Sequence, residues 1–202
     1  MINPISLAFK NVKKQNRPAL LTYTVAGDSS KKKSLDILKS ISNYADICEL
    51  GFPHNTPIAD GGQIQTSSFR AIKNGIKMND VFKIVRDFKK YKFHKPLILM
   101  GYYNPIYSMG VNKFLNQSKS SGVDGFIVVD LPPEEDQEFC IPARKIGLDF
   151  IRLATPTTSS KRIPKVLKNT SGFIYYVSVT GITVSYTHLR AHETSLHLVC
   201  RL

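Results

Sequence analysis

The sequence has few cysteines: only three occur among its 202 residues, and none lies in a CxxC pair. Cys48, Cys140 and Cys200 are widely spaced, which argues against a disulfide scaffold and suits a reducing compartment. No apolar run approaches the roughly 18 residues of a membrane helix, and the first apolar stretch is too short for a secretory signal. The sequence therefore predicts a soluble cytoplasmic protein with no membrane partner.

Acidic residues are also scarce. The chain has 15 Asp and Glu against 28 Lys and Arg, a formal net charge of +13. Its lysines are scattered, and no aromatic-interleaved basic stripe or RNA-binding motif accompanies them. We interpret this charge as a solvated surface that would also favour an anionic small substrate, and we expect no nucleic-acid partner. The alternative is a basic, non-catalytic nucleic-acid-binding module.

Short apolar runs recur along the chain and are separated by segments of helical periodicity. The runs cover residues 19–25, 46–50, 96–100, 125–129, 148–153 and 172–177. A βα unit that repeats with near-continuous apolar strands predicts a buried parallel sheet of the α/β class. No GxGxxG motif or P-loop is present, which weakens a doubly wound nucleotide binder. The pattern favours the (β/α)8 TIM barrel, of which only six βα units are found. Helix starts are predicted near 130–135 and, from the Thr and Ser caps, near 157–160.

Two acids flank the loop after the second predicted strand. Glu49 ends that strand on the same side as Ile47, since alternate strand residues share a face. If that side is the barrel interior, Glu49 lies at the mouth where barrel active sites are built. A carboxyl held there against apolar walls exchanges a proton near neutrality. Asp60 precedes a glycine pair, where a simple Asp-Gly turn is the stronger explanation from the residues alone. The two acids thus indicate proton-transfer chemistry without naming the reaction.

The two acids lie in two short motifs, ELGFP at 49–53 and PIADG at 57–61. These motifs resemble the signature of the tryptophan synthase alpha chain family. Further matches follow in order along the chain: TVAGD at 24–28, MGYYNP at 100–105, VDG through DLP at 123–132, and YYVSVTGIT at 175–183. The resemblance covers residues 1 to about 183.

The resemblance implies a lyase of tryptophan biosynthesis that cleaves indole-3-glycerol phosphate to indole and glyceraldehyde 3-phosphate. Glu49 would be the catalytic acid and base, and Asp60 would bond the indole N–H. This chain would need no cofactor, because pyridoxal phosphate belongs to the beta chain of an α2β2 heterotetramer. The implied substrate-binding residues are Tyr23, Met100, Tyr102, Ile127, Val129, Tyr175 and Thr183. The implied contacts with the beta chain are Pro53, Asn104, Tyr107, Asp130, Pro132 and Glu134.

The sequence departs from the family in two places. Asn55 and Thr56 stand where the family has a hydroxyl residue and an acid, which puts coupling to the beta chain in doubt. After Thr183 the periodic pattern stops, and strands seven and eight with their phosphate-binding loops do not appear. We therefore predict an incomplete barrel domain at 1–183, a non-native tail at 184–202, and no activity for the chain as written. Histidines in the tail lack an HExxH motif, so we predict no metal site.

Overall fold

The computed structural model describes residues 3–177 and 199–200, which form alternating helices and parallel strands. The helices are α1 (Pro4–Lys14), α2 (Lys31–Ser42), α3 (Gly62–Lys73), α4 (Met78–Lys89), α5 (Tyr103–Met109), α6 (Val111–Ser121), α7 (Gln137–Lys145) and α8 (Ile163–Leu167). The strands are β1 (Leu21–Val25), β2 (Ile47–Gly51), β3 (Leu97–Gly101), β4 (Gly125–Val128), β5 (Asp149–Ala154), β6 (Ile174–Tyr176) and β7 (Val199–Cys200).

The first six strands are parallel and pair in chain order, from β1 beside β2 to β5 beside β6. This order confirms the six predicted parallel strands, which form a curled half-barrel of the TIM type. The sequence did not predict β7, which runs antiparallel to β6 and pairs Val199 with Tyr175. The predicted boundary after residue 183 lies outside the described residues and stays a prediction.

The concave face of the sheet carries an apolar cluster that contains one residue from each of five strands or strand ends. Its strand members are Ile47, Ile98, Ile127, Ile151 and Phe173. Ile47 belongs to this cluster, whereas its neighbour Cys48 packs in the cluster on the opposite face. The alternation confirms that the side shared by Ile47 and Glu49 is the barrel interior.

Helix α1 was not predicted, and it covers the end of the interior where the strands begin. Asn3 caps the helix by accepting a hydrogen bond from the Ser6 amide at 3.1 Å, and Pro4 occupies the first turn. Ile5 joins the interior cluster, and Phe9 meets Phe173 edge-on with 5.5 Å between ring centroids. The Asn3 amide also donates to the buried Asp149 carboxylate at 2.7 Å. These contacts close one end of the half-barrel and leave the other for the site.

The convex face is supported by phenylalanines that link the helices to the strands. Phe114 of α6 lies 5.5 Å from Phe126 of β4, and Phe139 of α7 lies 5.7 Å from Phe150 of β5, between ring centroids. All four rings are fully buried, so each withdraws a large apolar area from water. This packing fixes the middle strands, whose ends carry the site.

Two predicted helix starts are displaced. Helix α7 begins at Gln137, after a turn in which the Glu135 amide donates to the Pro132 carbonyl at 3.0 Å. Helix α8 begins at Ile163, because Thr158 accepts a hydrogen bond from the Thr155 amide at 3.0 Å and forms a local turn instead of a cap. Both displacements arise because turns held by local hydrogen bonds compete with helix initiation.

Candidate active site

Glu49 extends from β2 into the interior of the half-barrel. It pairs with Tyr23 of β1 and Ile98 of β3 in the strand register, and only 3% of it is exposed. Its Oε1 atom has no hydrogen-bond partner among the described residues. Burial raises the pKa of the Glu49 carboxyl to about 7. An acid with this pKa exchanges its proton readily in both directions near neutral pH.

Asp60 lies in the loop between β2 and α3, and hydrogen bonds of its backbone amide and carbonyl fix this loop. The Asp60 amide donates to the Pro57 carbonyl at 3.1 Å, and the Asp60 carbonyl accepts from the Gln65 side chain at 2.7 Å. Its carboxyl is hydrogen-bonded to the Tyr102 hydroxyl. Burial raises the pKa of Asp60, whereas the bond from Tyr102 and the proximity of His54 act to lower it. The loop thus holds a second carboxyl in a fixed position.

Glu49 and Asp60 line the same cavity, whose volume is about 450 Å³. Three of the predicted substrate-binding residues line it with them: Tyr23, Met100 and Tyr175. The structure therefore brings five of the predicted site residues around one space. A cavity of this size is within the range that holds a small-molecule ligand.

The two tyrosines that face Glu49 keep their protons. Burial raises the pKa of Tyr23, and the charges of Asp60 and Glu49 add to this effect. The pKa of Tyr175 is also raised, by burial and by the charge of Glu49. A side chain at residue 51 would collide with the Tyr23 hydroxyl, so Gly51 provides the space in which this ring lies. Both phenols therefore remain neutral hydrogen-bond donors at the cavity.

The other predicted substrate-binding residues lie outside the lining of this cavity. Tyr102 is 4% exposed and supports the Asp60 loop, since its hydroxyl also accepts a hydrogen bond from the Ala59 amide at 2.9 Å. Ile127 is buried in the interior cluster, and Val129 packs against the same cluster. Thr183 lies outside the described residues. The binding roles of these four residues remain predictions.

The sequence analysis missed the part of the cavity wall that comes from β1, α2 and α3. The additional lining residues are Thr24, Val25, Asp28, Ser34, Ile37, Gln63, Ile64 and Ser67. An ion pair between Asp28 and Arg70, 2.7 Å apart, ties the loop after β1 to α3. One feature of the sequence indicates this wall: Gln63, Ile64 and Ser67 follow Asp60 with the spacing of one helix face.

The predicted partner-contact residues all follow the carboxyl ends of β2, β3 and β4. Pro53 follows β2, Asn104 and Tyr107 lie in α5, and Asp130, Pro132 and Glu134 follow β4. Tyr107 is 64% exposed, and the Asp130 carboxylate accepts a hydrogen bond from the Tyr103 amide at 2.7 Å. The Glu134 carboxylate forms ion pairs within the chain, with Arg162 at 2.8 Å and with Lys165 at 3.4 Å. These residues therefore share one rim, beside the mouth of the site.

A curled parallel sheet with buried acids at the carboxyl ends of its strands has the architecture of a TIM-barrel enzyme, whose active sites lie at that end. The family model described as "Tryptophan synthase alpha chain" matches residues 9–201. The chain is 62% identical over 179 residues to the tryptophan synthase alpha chain of Pelagibacter ubique (strain HTCC1062), covering 89% of this chain and 68% of that protein. The chain belongs to the tryptophan synthase alpha chain family.

Solved structures agree with this assignment. Tryptophan synthase subunit alpha from Legionella pneumophila str. Paris superposes with a TM-score of 0.82 at 38% identity, covering 88% of this chain and 68% of that one. A chain of the tryptophan synthase complex from Pyrococcus furiosus gives a TM-score of 0.75 at 44% identity, covering 78% and 65%. The chain thus spans about two thirds of the length of these relatives.

The family assignment decides between the two functions that the sequence left open, and two separate observations concern metals and membranes. It supports the lyase and not the alternative, a basic nucleic-acid-binding module. Within residues 3–177 and 199–200, no cluster of His, Cys, Asp and Glu is suited to hold a metal ion. In the same described part of the chain, no helix is long and apolar enough to cross a membrane. The tail histidines lie outside these residues.

Proposed function

We propose that this site cleaves indole-3-glycerol phosphate to indole and glyceraldehyde 3-phosphate by a retro-aldol reaction. One observation carries the proposal: two buried carboxyls, Glu49 and Asp60, line one cavity, and Glu49 has a pKa of about 7 and an unpartnered oxygen. A single group with that pKa is suited both to give and to take a proton in one catalytic cycle.

Glu49 would act as acid and then as base. In its protonated form it donates its proton to C3 of the indole ring, which produces a positively charged indolenine. The carboxylate then takes the proton of the glycerol hydroxyl on the carbon attached to C3. The bond between C3 and that carbon breaks, its electrons return to the ring, and the hydroxyl carbon becomes an aldehyde. Glu49 ends the cycle protonated, so the reaction consumes no external acid or cofactor.

Asp60 would stabilise the charge that develops on the ring. Its carboxylate accepts a hydrogen bond from the indole N–H, which becomes more acidic once C3 is protonated. The interaction is strong because Asp60 is only 9% exposed, and a charge in a site with little water is poorly screened. Tyr102 holds the Asp60 loop, so little reorganisation is needed when the charge appears.

The beta chain of tryptophan synthase is the proposed partner. One relative of known structure is the tryptophan synthase a2b2 complex of Pyrococcus furiosus. Exposed residues at the rim, above all Tyr107, supply a surface beside the mouth through which the indole product would leave. Pyridoxal phosphate would then belong to that partner, and the location would be cytoplasmic. Two buried free cysteines, Cys48 and Cys140, suit that compartment.

A completed chain provides the direct test of the activity. It consists of residues 1–183 of this protein followed by the segment of the Pelagibacter ubique relative that lies C-terminal to the matched region. Purified in parallel with the 202-residue chain, it is incubated with indole-3-glycerol phosphate and no added cofactor. We expect equal amounts of indole and glyceraldehyde 3-phosphate from the completed chain and none from the 202-residue chain. A completed chain that unfolds cooperatively but forms no indole contradicts the proposal.

The partner proposal is tested with two tyrosines at opposite ends of the molecule. Tyr107 is 64% exposed at the rim of the site, and Tyr44 is 82% exposed in the connection between α2 and β2 at the other end. In the completed chain, Tyr107→Ala should weaken binding to a tryptophan synthase beta chain, measured by co-sedimentation, whereas Tyr44→Ala should not. Equal binding by both variants would show that the rim is not the interface.

A further inference from the structure

His54 is a polar residue at the site to which the proposed mechanism gives no role. It lies in the loop after β2, and its ring stacks on Tyr102 with 5.0 Å between centroids and 32° between planes. Tyr102 in turn is hydrogen-bonded to the Asp60 carboxyl and, at 2.9 Å, to the Ala59 amide. A continuous path of contacts therefore runs from His54 through Tyr102 to the carboxylate that is to bind the substrate.

The stack affects the position of Asp60 because the Tyr102 ring has little freedom to move. The ring is 4% exposed and its hydroxyl holds two consecutive residues of the Asp60 loop. Burial raises the pKa of Tyr102 to about 12, so the hydroxyl keeps its proton and can donate it to Asp60. The imidazole packs against Tyr102 at an interplanar angle of 32°, so it limits how far the phenol can turn.

The charge of the imidazole is a separate effect of the same residue. The titratable groups around the stack are Asp60 on the same loop, Tyr102 at the end of β3, and Asp130 after β4, whose charge acts on Tyr102. Burial raises the pKa of Asp60, and the charge of His54 opposes that rise. A positive charge close to a carboxyl favours its ionised form, which is the form that accepts an N–H hydrogen bond.

We propose that His54 is a positioning residue for Asp60: its ring holds Tyr102 in place, and its positive form keeps Asp60 ionised. The catalytic consequence rests on the proposed function, whereas the physical link between His54 and Asp60 does not.

The link is tested by the titration of Asp60 in the 202-residue chain labelled with ¹³C at aspartate carboxyls. Asp60→Asn assigns the signal. His54→Phe keeps an aromatic ring on Tyr102 without the charge, and His54→Ala removes both. We expect the midpoint of the Asp60 titration to rise in both variants. Hydrogen exchange of the Ala59 amide should accelerate in His54→Ala alone. His94→Phe is the matched control, because His94 lies before β3 at the other end of the half-barrel; it should change neither measurement.

Each result decides part of the proposal. Equal Asp60 midpoints in the wild type and His54→Phe would overturn the electrostatic effect, and unchanged Ala59 exchange in His54→Ala would overturn the positional one. The same two measurements in the completed chain provide a second folded background. Neither needs substrate, so a failure of the proposed reaction is recognised separately, by the absence of indole. Where indole is released, His54→Phe should move the acid limb of the kcat profile to higher pH.

Discussion

Replacing Glu49 by glutamine should stabilise the protein at neutral pH while removing its proposed catalytic group. Glu49 is 3% exposed, and burial raises its pKa from 4.5 to about 7. Below about pH 4.5 the carboxyl is protonated in the unfolded and the folded chain, so its ionisation has no effect on stability. Between pH 4.5 and 7 the unfolded chain releases the proton and the folded chain retains it. The folded state then binds more protons, and stability falls as pH rises.

The size of this effect follows from the two pKa values. They differ by about 2.5, and each pKa unit corresponds to about 1.36 kcal/mol, so the wild type loses about 3 kcal/mol by pH 7. Glutamine has nearly the same shape and does not ionise, so Glu49→Gln should avoid that loss. The variant should therefore exceed the wild type by about 3 kcal/mol at pH 7 and above, with the difference vanishing near pH 4.5.

Urea denaturation followed by circular dichroism at a series of pH values measures the difference. Glu135→Gln is the matched control, because Glu135 is exposed; its effect on stability should be small at every pH. A Glu49→Gln variant whose stability relative to the wild type is the same at pH 4.5 and at pH 8 would refute the claim that burial perturbs Glu49.

Three further predictions concern other parts of the structure. In the completed chain, Asp60→Asn should lower kcat for indole release by roughly 10²–10³-fold, and a loss below about tenfold would argue against charge stabilisation by Asp60. Arg152→Ala should lower the free energy of unfolding by about 3–5 kcal/mol, because it leaves the buried Asp136 unpaired. The control Arg17→Ala, at an exposed pair with Asp46, should have a clearly smaller effect in the same denaturation experiment. Gly101→Ala should cost about 1–3 kcal/mol, since the new methyl group collides with the Phe52 ring. Gly62→Ala has open space and should be nearly neutral, so equal effects of the two glycine variants would contradict the packing argument.

The sequence predicted the strands and the acids because both follow local rules. The six apolar runs are period-two or continuous segments, and each became a parallel strand. The placement of Glu49 in the interior required only that it share a face with Ile47. The motif ELGFP and the loop to Asp60 then supplied the resemblance that names the reaction. These features need no knowledge of distant contacts.

Features that depend on distant residues could not be predicted in this way. Helix α1 closes the interior through Asn3 and Asp149, which are 146 positions apart in the chain. The Asp136 carboxylate precedes α7 but is bound by Arg152 from β5, so it does not cap that helix. The cavity wall from α2 and α3 likewise follows from how those helices pack on β1. No local pattern records such pairings, so only the folded chain reveals them.

The central claim is that Glu49 transfers the proton in the cleavage of indole-3-glycerol phosphate. The most direct measurement is kcat for indole release by the completed chain, with and without the substitution Glu49→Gln. We predict that kcat falls by roughly 10²–10⁴-fold, the usual contribution of a general acid or base, while KM changes little. Circular dichroism establishes that the variant remains folded. A Glu49→Gln variant that keeps most of the wild-type kcat would contradict the account.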